Sequence, residues 1–356
     1  MKGSIKQMDV TIGLDLGDKR SQAVVLDAEG KVVEERKMAT TKVALGPMLE
    51  QYAGCLVVME VGTHSPWVSR LFKERGFRVI TANPRQVRLI SESQRKSDRF
   101  DAEMLARLGR LDPSLLSPVH HRGEETQKDR ALLQARDGLV RCRTLLINQT
   151  RGLAKSLGVR LPSCSADVFH RRVREAVGDD LFPGMATLLN TVGQHTADIH
   201  DLDGEVERLS KQRYPEVAGL QQVPGVGPIT ALSFVLTVED PGRFATSRTV
   251  GAYLGLCPRQ HSSGDQEPQL RITKCGDPSL RRYLVQASQY ILGPFGPDCD
   301  LKRFGLRLCE RGGKNAKKRA TVAVARKLAV LLHHLWLTGE VYDPLINADR
   351  AARRAA

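Results

Sequence analysis

The chain has 356 residues, with 54 Lys or Arg against 40 Asp or Glu, a formal net charge of +14. That length suits two or three domains of roughly 100–200 residues each, and the 41% hydrophobic content excludes a wholly disordered chain. No apolar run reaches the ~20 residues of a membrane-spanning helix, the best candidate, Val322 to Leu337, being broken by Arg326, Lys327, His333 and His334.

In chain order, Val10 to Leu16 and Gln22 to Leu26 are short apolar runs, and the turn Asp27-Ala28-Glu29-Gly30 leads into the extended pattern Lys31 to Arg36. Three consecutive strands are predicted. A helix is expected over Leu45 to Tyr52. Cys55 to Val61 is apolar except for Glu60, the pattern of a strand buried on both faces. Ser65-Pro66 opens a helix that stops before Gly76. Phe77 to Thr81 reads as a fifth strand, closed by Asn83-Pro84. A helix starts near Ser97, with Phe100, Met104, Leu105 and Leu108 on one side. Next, Leu132, Leu139, Leu146 and Leu153 recur every seventh residue beside Leu133, Val140 and Ile147, which predicts a helical hairpin or coiled coil. A second helical stretch, Ala186 to Lys211, completes either a spacer or a dimerisation arm. Beyond Leu220 come short helices rich in Gly and Pro, a basic run from Arg311 to Arg319 and the amphipathic helix Thr321 to Leu337. The expected division is 1–122, 123–215, 216–345 and a tail at 346–356.

The order βββαβαβα resembles an RNase H-like (RuvC-like) domain, so the expected fold is α/β followed by an all-α region. In such a sheet the first and fourth strands are neighbours, which sets Asp15 beside Glu60. Asp98 and Asp101 share one face of a helix at their three-residue spacing. Four converging carboxylates repel unless hard cations neutralise them, and Mg²⁺ fits best, with Mn²⁺ as a substitute. Two such ions can clamp the attacking and leaving oxygens of a phosphodiester. Each acid also has a plain reading as a turn former, an Arg partner or a solvated charge. Gly13-Leu14-Asp15-Leu16-Gly17 is also similar to a sugar-kinase phosphate loop, but the further motifs of that fold are missing.

Met1 to Asp9 has no apolar core, so no signal peptide is expected. The seven cysteines contain no C-x-x-C pair, which fits free thiols in a cytoplasmic protein. A strongly basic chain points to nucleic acid as partner. Pro224-Gly225-Val226-Gly227 before a helix at Pro228 is a helix-hairpin-helix signature, in which Gly225 and Gly227 let backbone amides approach a phosphate. Further on, His261-Ser262-Ser263-Gly264 lies in a basic loop, and Arg259, Arg271, Lys274 and Arg281 are candidate cations around it. Lys314, Lys317 and Lys318 extend the basic set. A loop serine can attack a phosphate if its proton is taken and the added charge is stabilised. By chemistry alone that remains one reading of a common residue.

These motifs together resemble the DEDD transposases of the insertion sequence 110 family, which include the Piv-like DNA invertases. The first half matches at Gly13-Leu14-Asp15, Met59-Glu60-Val61-Gly62-Thr63 and Ser97-Asp98-Arg99-Phe100-Asp101. The second half matches at Pro224-Gly225-Val226-Gly227-Pro228, Gly255-Leu256-Cys257-Pro258-Arg259, Ser263-Gly264 and Lys274-Cys275-Gly276-Asp277. The form Gln260-His261-Ser262-Ser263-Gly264 is similar to the insertion sequence 1111 branch. The resemblance implies that Asp15, Glu60, Asp98 and Asp101 bind Mg²⁺ and that Ser263 forms a covalent phosphoserine link to DNA. It also implies guidance by a noncoding RNA from the same element, pairing with donor and target DNA, and dimers that assemble into tetramers. A metal-dependent nuclease selective for branched DNA is the competing expectation, and a binding protein with a decayed acid site is the third.

Overall fold

A computed structural model describes residues 10–48, 50–84, 97–178, 182–261 and 270–347. The chain divides into two compact units, 1–124 and 125–356.

The first unit is built on a five-stranded sheet of β1 (Thr11–Leu16), β2 (Arg20–Leu26), β3 (Val32–Ala39), β4 (Leu56–Glu60) and β5 (Arg78–Ala82). Its strand order is β3-β2-β1-β4-β5. β1, β2 and β3 are antiparallel, whereas β4 pairs parallel with both β1 and β5. This mixed sheet is consistent with the RNase H-like expectation. Alternation along the strands sends side chains to two faces. Ile12, Leu14, Val57 and Met59 share one apolar core with Val68 and Phe72 of α2 (Ser65–Glu74). The other face is covered by α3 (Asp98–Leu111), where Val58 packs with Leu105 and Leu108.

Two local readings need correction. The helix expected over 45–52 is α1 (Lys42–Met48) followed by a 3-10 turn at Glu50–Tyr52. Thr41 Oγ1 accepts from the Ala44 amide at 3.2 Å and starts the helix earlier, and Pro47, inside its last turn, lacks the backbone donor that would bond back to Val43 O. On α3 Met104 packs half-buried against Leu105 and Leu108 as expected, but the buried stripe also takes in Ala102, Ala106 and Gly109, and Phe100 is only half-buried. Small residues face the sheet because the helix lies very close to it. A Cβ on Gly13 would stand 1.8 Å from the Ala102 carbonyl oxygen, and one on Gly109 would stand 2.4 Å from Val58.

The second unit is helical. α4 (Glu124–Ser156) and α6 (Pro183–Arg213) are long, with α5 (Phe169–Val177) between them in sequence. The buried positions of α4 are Asp129, Leu133, Asp137, Arg143, Ile147, Thr150 and Ala154. The seam therefore centres one residue after the leucine heptad, and Leu132, Leu139, Leu146 and Leu153 are half-buried. Polar members of this seam are paired across the unit. Arg136 meets Asp203 of α6, with Nη2 to Oδ2 at 3.1 Å, and Arg143 donates to Asp167 at 2.7 Å and Thr196 at 3.3 Å. Asp129 accepts from the Tyr214 hydroxyl at 2.6 Å.

The remaining helices are α7 (Glu216–Leu220), α8 (Pro228–Val238), α9 (Ser247–Tyr253), α10 (Pro278–Leu292), α11 (Asp300–Glu310) and α12 (Ala316–Thr338). They share a core that includes Leu133 of α4 and Val206 of α6. Asp137 of α4 also accepts from Arg282 and Tyr283 of α10. These ties join 125–213 to the later helices in one compact unit. α12 is the one helix among the described residues long and apolar enough to cross a membrane by length and composition. Within this unit Val324, Ala325, Leu328, Ala329, Leu332 and His333 of α12 are buried. His333 is a core histidine, 2.9 Å from the Ser247 hydroxyl and 3.0 Å from the Pro241 carbonyl.

Candidate active site

In the first unit, Leu14 of β1 pairs with Met59 of β4, so Asp15 and Glu60 are the next residues on neighbouring parallel strands. Asp15 is two residues from Gly13, and Glu60 two from Val58. Both Gly13 and Val58 face α3, so both acids belong to the α3 face at the C-terminal end of the strands. Asp98 and Asp101 lie in the first turn of α3, whose N-cap is Ser97, with its side chain accepting from the Phe100 amide at 3.2 Å. Carboxylates in a first turn are favoured by the unpaired amides and positive end of the helix dipole.

The charges on β3 anchor this turn. Arg99 donates twice to Glu35, at 2.8 and 2.7 Å, and these bonds hold the Glu35 carboxyl below its usual range. Asp98 is 67% exposed and lies 3.8 Å from Lys37 Nζ. Among the described residues, no three His, Cys, Asp or Glu side chains are gathered to hold a metal ion. What fits a divalent cation is the donor set: oxygen-only ligands carried on two neighbouring strands and on the helix that covers them.

His64 is a residue of this region that the sequence reading did not select. Trp67 Nε1 donates to His64 Nδ1 at 3.1 Å, leaving the proton on Nε2, which lies 3.3 Å from Asp18. That pair ties the loop after Asp15 to the loop after Glu60. Its only sequence signal is proximity to the two acids.

In the second unit, Cys257–Arg259 and Arg271–Thr273 form the base of a hairpin. The Arg259 amide donates to Arg271 O and the Thr273 amide to Cys257 O, both at 2.9 Å, around a bridge between Pro258 and Ile272. Ser262, Ser263 and Gly264, which follow Arg259 in the sequence, lie outside the described residues. His261 is exposed. Below the hairpin two backbone segments cross. A Cβ on Gly255 (φ +68°) would meet Cys275 O at 2.2 Å, and one on Gly276 (φ +71°) would meet Tyr253 O at 2.2 Å. Arg281 Nη1 spans this crossing and donates to Leu254 O at 3.0 Å and Cys275 O at 2.7 Å. Arg281 is thus engaged with the protein backbone at this atom, whereas the sequence reading offered it to nucleic acid.

Arg271, Lys274, Lys314 and Lys318 line one open groove of about 1590 Å³ beside the hairpin base. Lys317 and Arg259 are exposed outside the groove lining. The groove also draws Arg248, Arg307 and Arg326 from three different helices. Sequence reasoning missed these because their convergence is tertiary; the charge spacing on α11 and α12 was their only trace.

The glycine hairpin joins α7 to α8. Gly225 (φ +79°) needs its missing side chain, since a Cβ would stand 2.9 Å from Ala287 O of α10. Gly227 is exposed at the N-cap of α8 and has open space around it. An exposed helix start with no side-chain cap leaves amides that can meet a phosphate.

A family model described as Transposase IS116/IS110/IS902 family matches residues 217–297. A second transposase model, for DEDD transposases of the IS110 type, matches residues 12–158. The transposase for insertion sequence element IS1111A of Coxiella burnetii is 32% identical over 349 residues, covering 95% of this chain and 92% of that one. A probable family 20 transposase of Pseudomonas aeruginosa is 30% identical over 348 residues, with 94% and 98% covered. The pilin gene-inverting protein of Moraxella bovis is 24% identical over 301 residues, with 82% and 83% covered.

Proposed function

The chain belongs to the IS110 family of transposases, enzymes of DNA recombination, and from that premise we propose that it is an RNA-guided recombinase that cuts and rejoins DNA through Ser263. The observation that carries this reading is the hairpin base at 257–259 and 271–273, whose two sides flank Ser263 in the sequence and whose Arg271 lines a cationic groove.

In the proposed chemistry Ser263 Oγ attacks a backbone phosphorus. An Oγ–P bond forms, one P–O bond to a sugar breaks, and the serine proton ends on the released sugar hydroxyl. Attack by a sugar hydroxyl of another strand reverses the step and restores Ser263. Bond energy is conserved, so no nucleotide triphosphate is needed. Arg271 and Lys274, fixed at the hairpin foot, offset charge that builds on the phosphate oxygens. Asp15, Glu60, Asp98 and Asp101 would hold Mg²⁺, which when bound supplies neutralisation of phosphate charge. His64 and Asp18 steady the two loops that follow Asp15 and Glu60. Donor and target DNA, a guide RNA and other copies of the chain, as dimer and tetramer, are the partners of this reading. Choice of target then lies in the RNA.

The experiment is to incubate the enzyme with DNA carrying its element ends and the RNA transcribed beside its gene, then digest and search for a phosphoserine–nucleotide adduct. The adduct is expected on the peptide containing Ser263, and both adduct and cleavage should vanish in Ser263→Ala and Asp15→Asn. Undiminished cutting by Ser263→Ala would refute the serine mechanism and favour a metal-dependent nuclease.

A further inference from the structure

The groove beside the hairpin base combines two surfaces that a duplex cannot use together. Among the described residues, ten Lys and Arg side chains line it against two carboxylates, Asp300 and Asp343. That imbalance selects a polyanion. The floor between these charges is apolar and includes Leu301, Phe304 and Leu308 of α11 and Val322, Val330 and Leu331 of α12. Lys327 Nζ sits 4.2 Å from the centre of the Phe304 ring, so a rim cation directly overhangs the floor. A duplex presents phosphates and polar groove edges, with its base faces stacked inside. An unpaired strand exposes apolar base faces next to its phosphates, and that alternation matches a basic rim over an apolar floor.

We propose that this groove is a binding site for single-stranded DNA, with phosphates on the rim cations and bases against the floor. The proposal rests on the reading that the second unit works on DNA. Continuity favours DNA as the occupant: Pro258, Arg271 and Ile272 belong both to the hairpin base and to the groove wall, and Leu270 and Lys274 line the wall on either side of them. A strand lying in the groove would therefore run along the hairpin base, whose two sides flank Ser263 in the sequence. Strand exchange requires such unpaired DNA, because an end released from one duplex must leave it before joining another.

The test uses the full-length protein in EDTA, so that binding is read without cleavage. Fluorescence anisotropy would compare an unstructured DNA oligonucleotide, its duplex and the RNA strand of the same sequence, each across a salt series. The single DNA strand is expected to bind at least tenfold more tightly than the duplex, about 1.4 kcal/mol. Leu308→Gln in the floor should remove most of that preference and leave the salt dependence unchanged. Arg307→Gln combined with Lys318→Gln should weaken both ligands and lower the single-strand salt slope by about 1.4. If Leu308→Gln fails to fold by circular dichroism, Val330→Thr, which keeps the branched shape but replaces a methyl with a hydroxyl, carries the floor test. Equal or tighter duplex binding would overturn the proposal. So would tighter RNA binding, or a folded floor variant with its preference intact. Because no metal is present, failure of the serine mechanism in the cleavage test leaves this result independent.

Discussion

A Cβ added to Gly13 would stand 1.8 Å from Ala102 O and 2.8 Å from the Ala106 amide nitrogen, so even alanine must push α3 off the sheet. The same helix carries Asp98 and Asp101 over the strands that carry Asp15 and Glu60. Gly13→Ala is therefore expected to cost about 1–3 kcal/mol in urea denaturation and to reduce DNA cleavage more than its residual folded fraction explains. The two hairpin glycines separate structure from binding in the same way. Gly225→Ala meets both a positive φ and a carbonyl at 2.9 Å, and should lower the thermal midpoint. Gly227→Ala has φ −85° and open space, and should cost no more than about 1 kcal/mol of stability, the loss of a modest N-cap residue. If Gly227 lets the α8 amides reach a phosphate, its alanine variant should still weaken DNA binding several-fold. Equal DNA affinity in Gly227→Ala would reduce the motif to a tight inter-helix turn.

At the scale of elements, the serine hairpin depends on a crossing that Arg281 closes by bonding Leu254 O and Cys275 O. Arg281 is a positioning residue in this arrangement. Arg281→Gln should lower kcat about tenfold or more with little change in KM for DNA, because misplacing an attacking group affects the step itself. Lys, with one charged nitrogen, should restore part of the loss. A rise in KM at constant kcat would instead return Arg281 to phosphate binding.

The elements differ in how readily the sequence exposes them. The strands were legible because alternating or fully apolar runs bounded by turns define them, as with Cys55 to Val61. Glu60 stood out because it interrupts such a run. The α4 seam was displaced by one residue because apolar spacing cannot reveal that Asp137 and Arg143 are buried through partners far along the chain. The groove was invisible for the same reason, being assembled from α9, α11, α12 and the hairpin. Ser263 could be chosen only by matching a known pattern, since a serine in a loop carries no chemical signal of its own.

Across the whole molecule, buried ionisable groups in the two units give stability a pH dependence of defined sign. In the first unit, burial, reinforced by Lys73, Arg70, His120 and Arg122, pushes His121 from 6.5 down to about 4. In the second, burial lowers His333, partly offset by its bond to Pro241 O. Both imidazoles hold a proton less readily when folded than when unfolded. The unfolded chain therefore binds more protons as pH falls below about 6.5, and stability falls with it. Asp137 acts lower. Burial raises its pKa, but hydrogen bonds from Tyr283, Ser279 and Arg282 outweigh this and hold it below the usual range. Its contribution is present above about pH 3.9 and is lost as pH falls through its folded value. The net charge of +14 grows more positive over the same range, so self-repulsion adds to the loss. Thermal unfolding followed by calorimetry should thus begin to weaken below about pH 6.5 and steepen below about pH 4. His121→Gln, uncharged throughout, should flatten the upper part of that decline for the first unit while leaving the lower part unchanged. A variant profile as steep as wild type between about pH 6.5 and pH 4 would assign the decline to other groups.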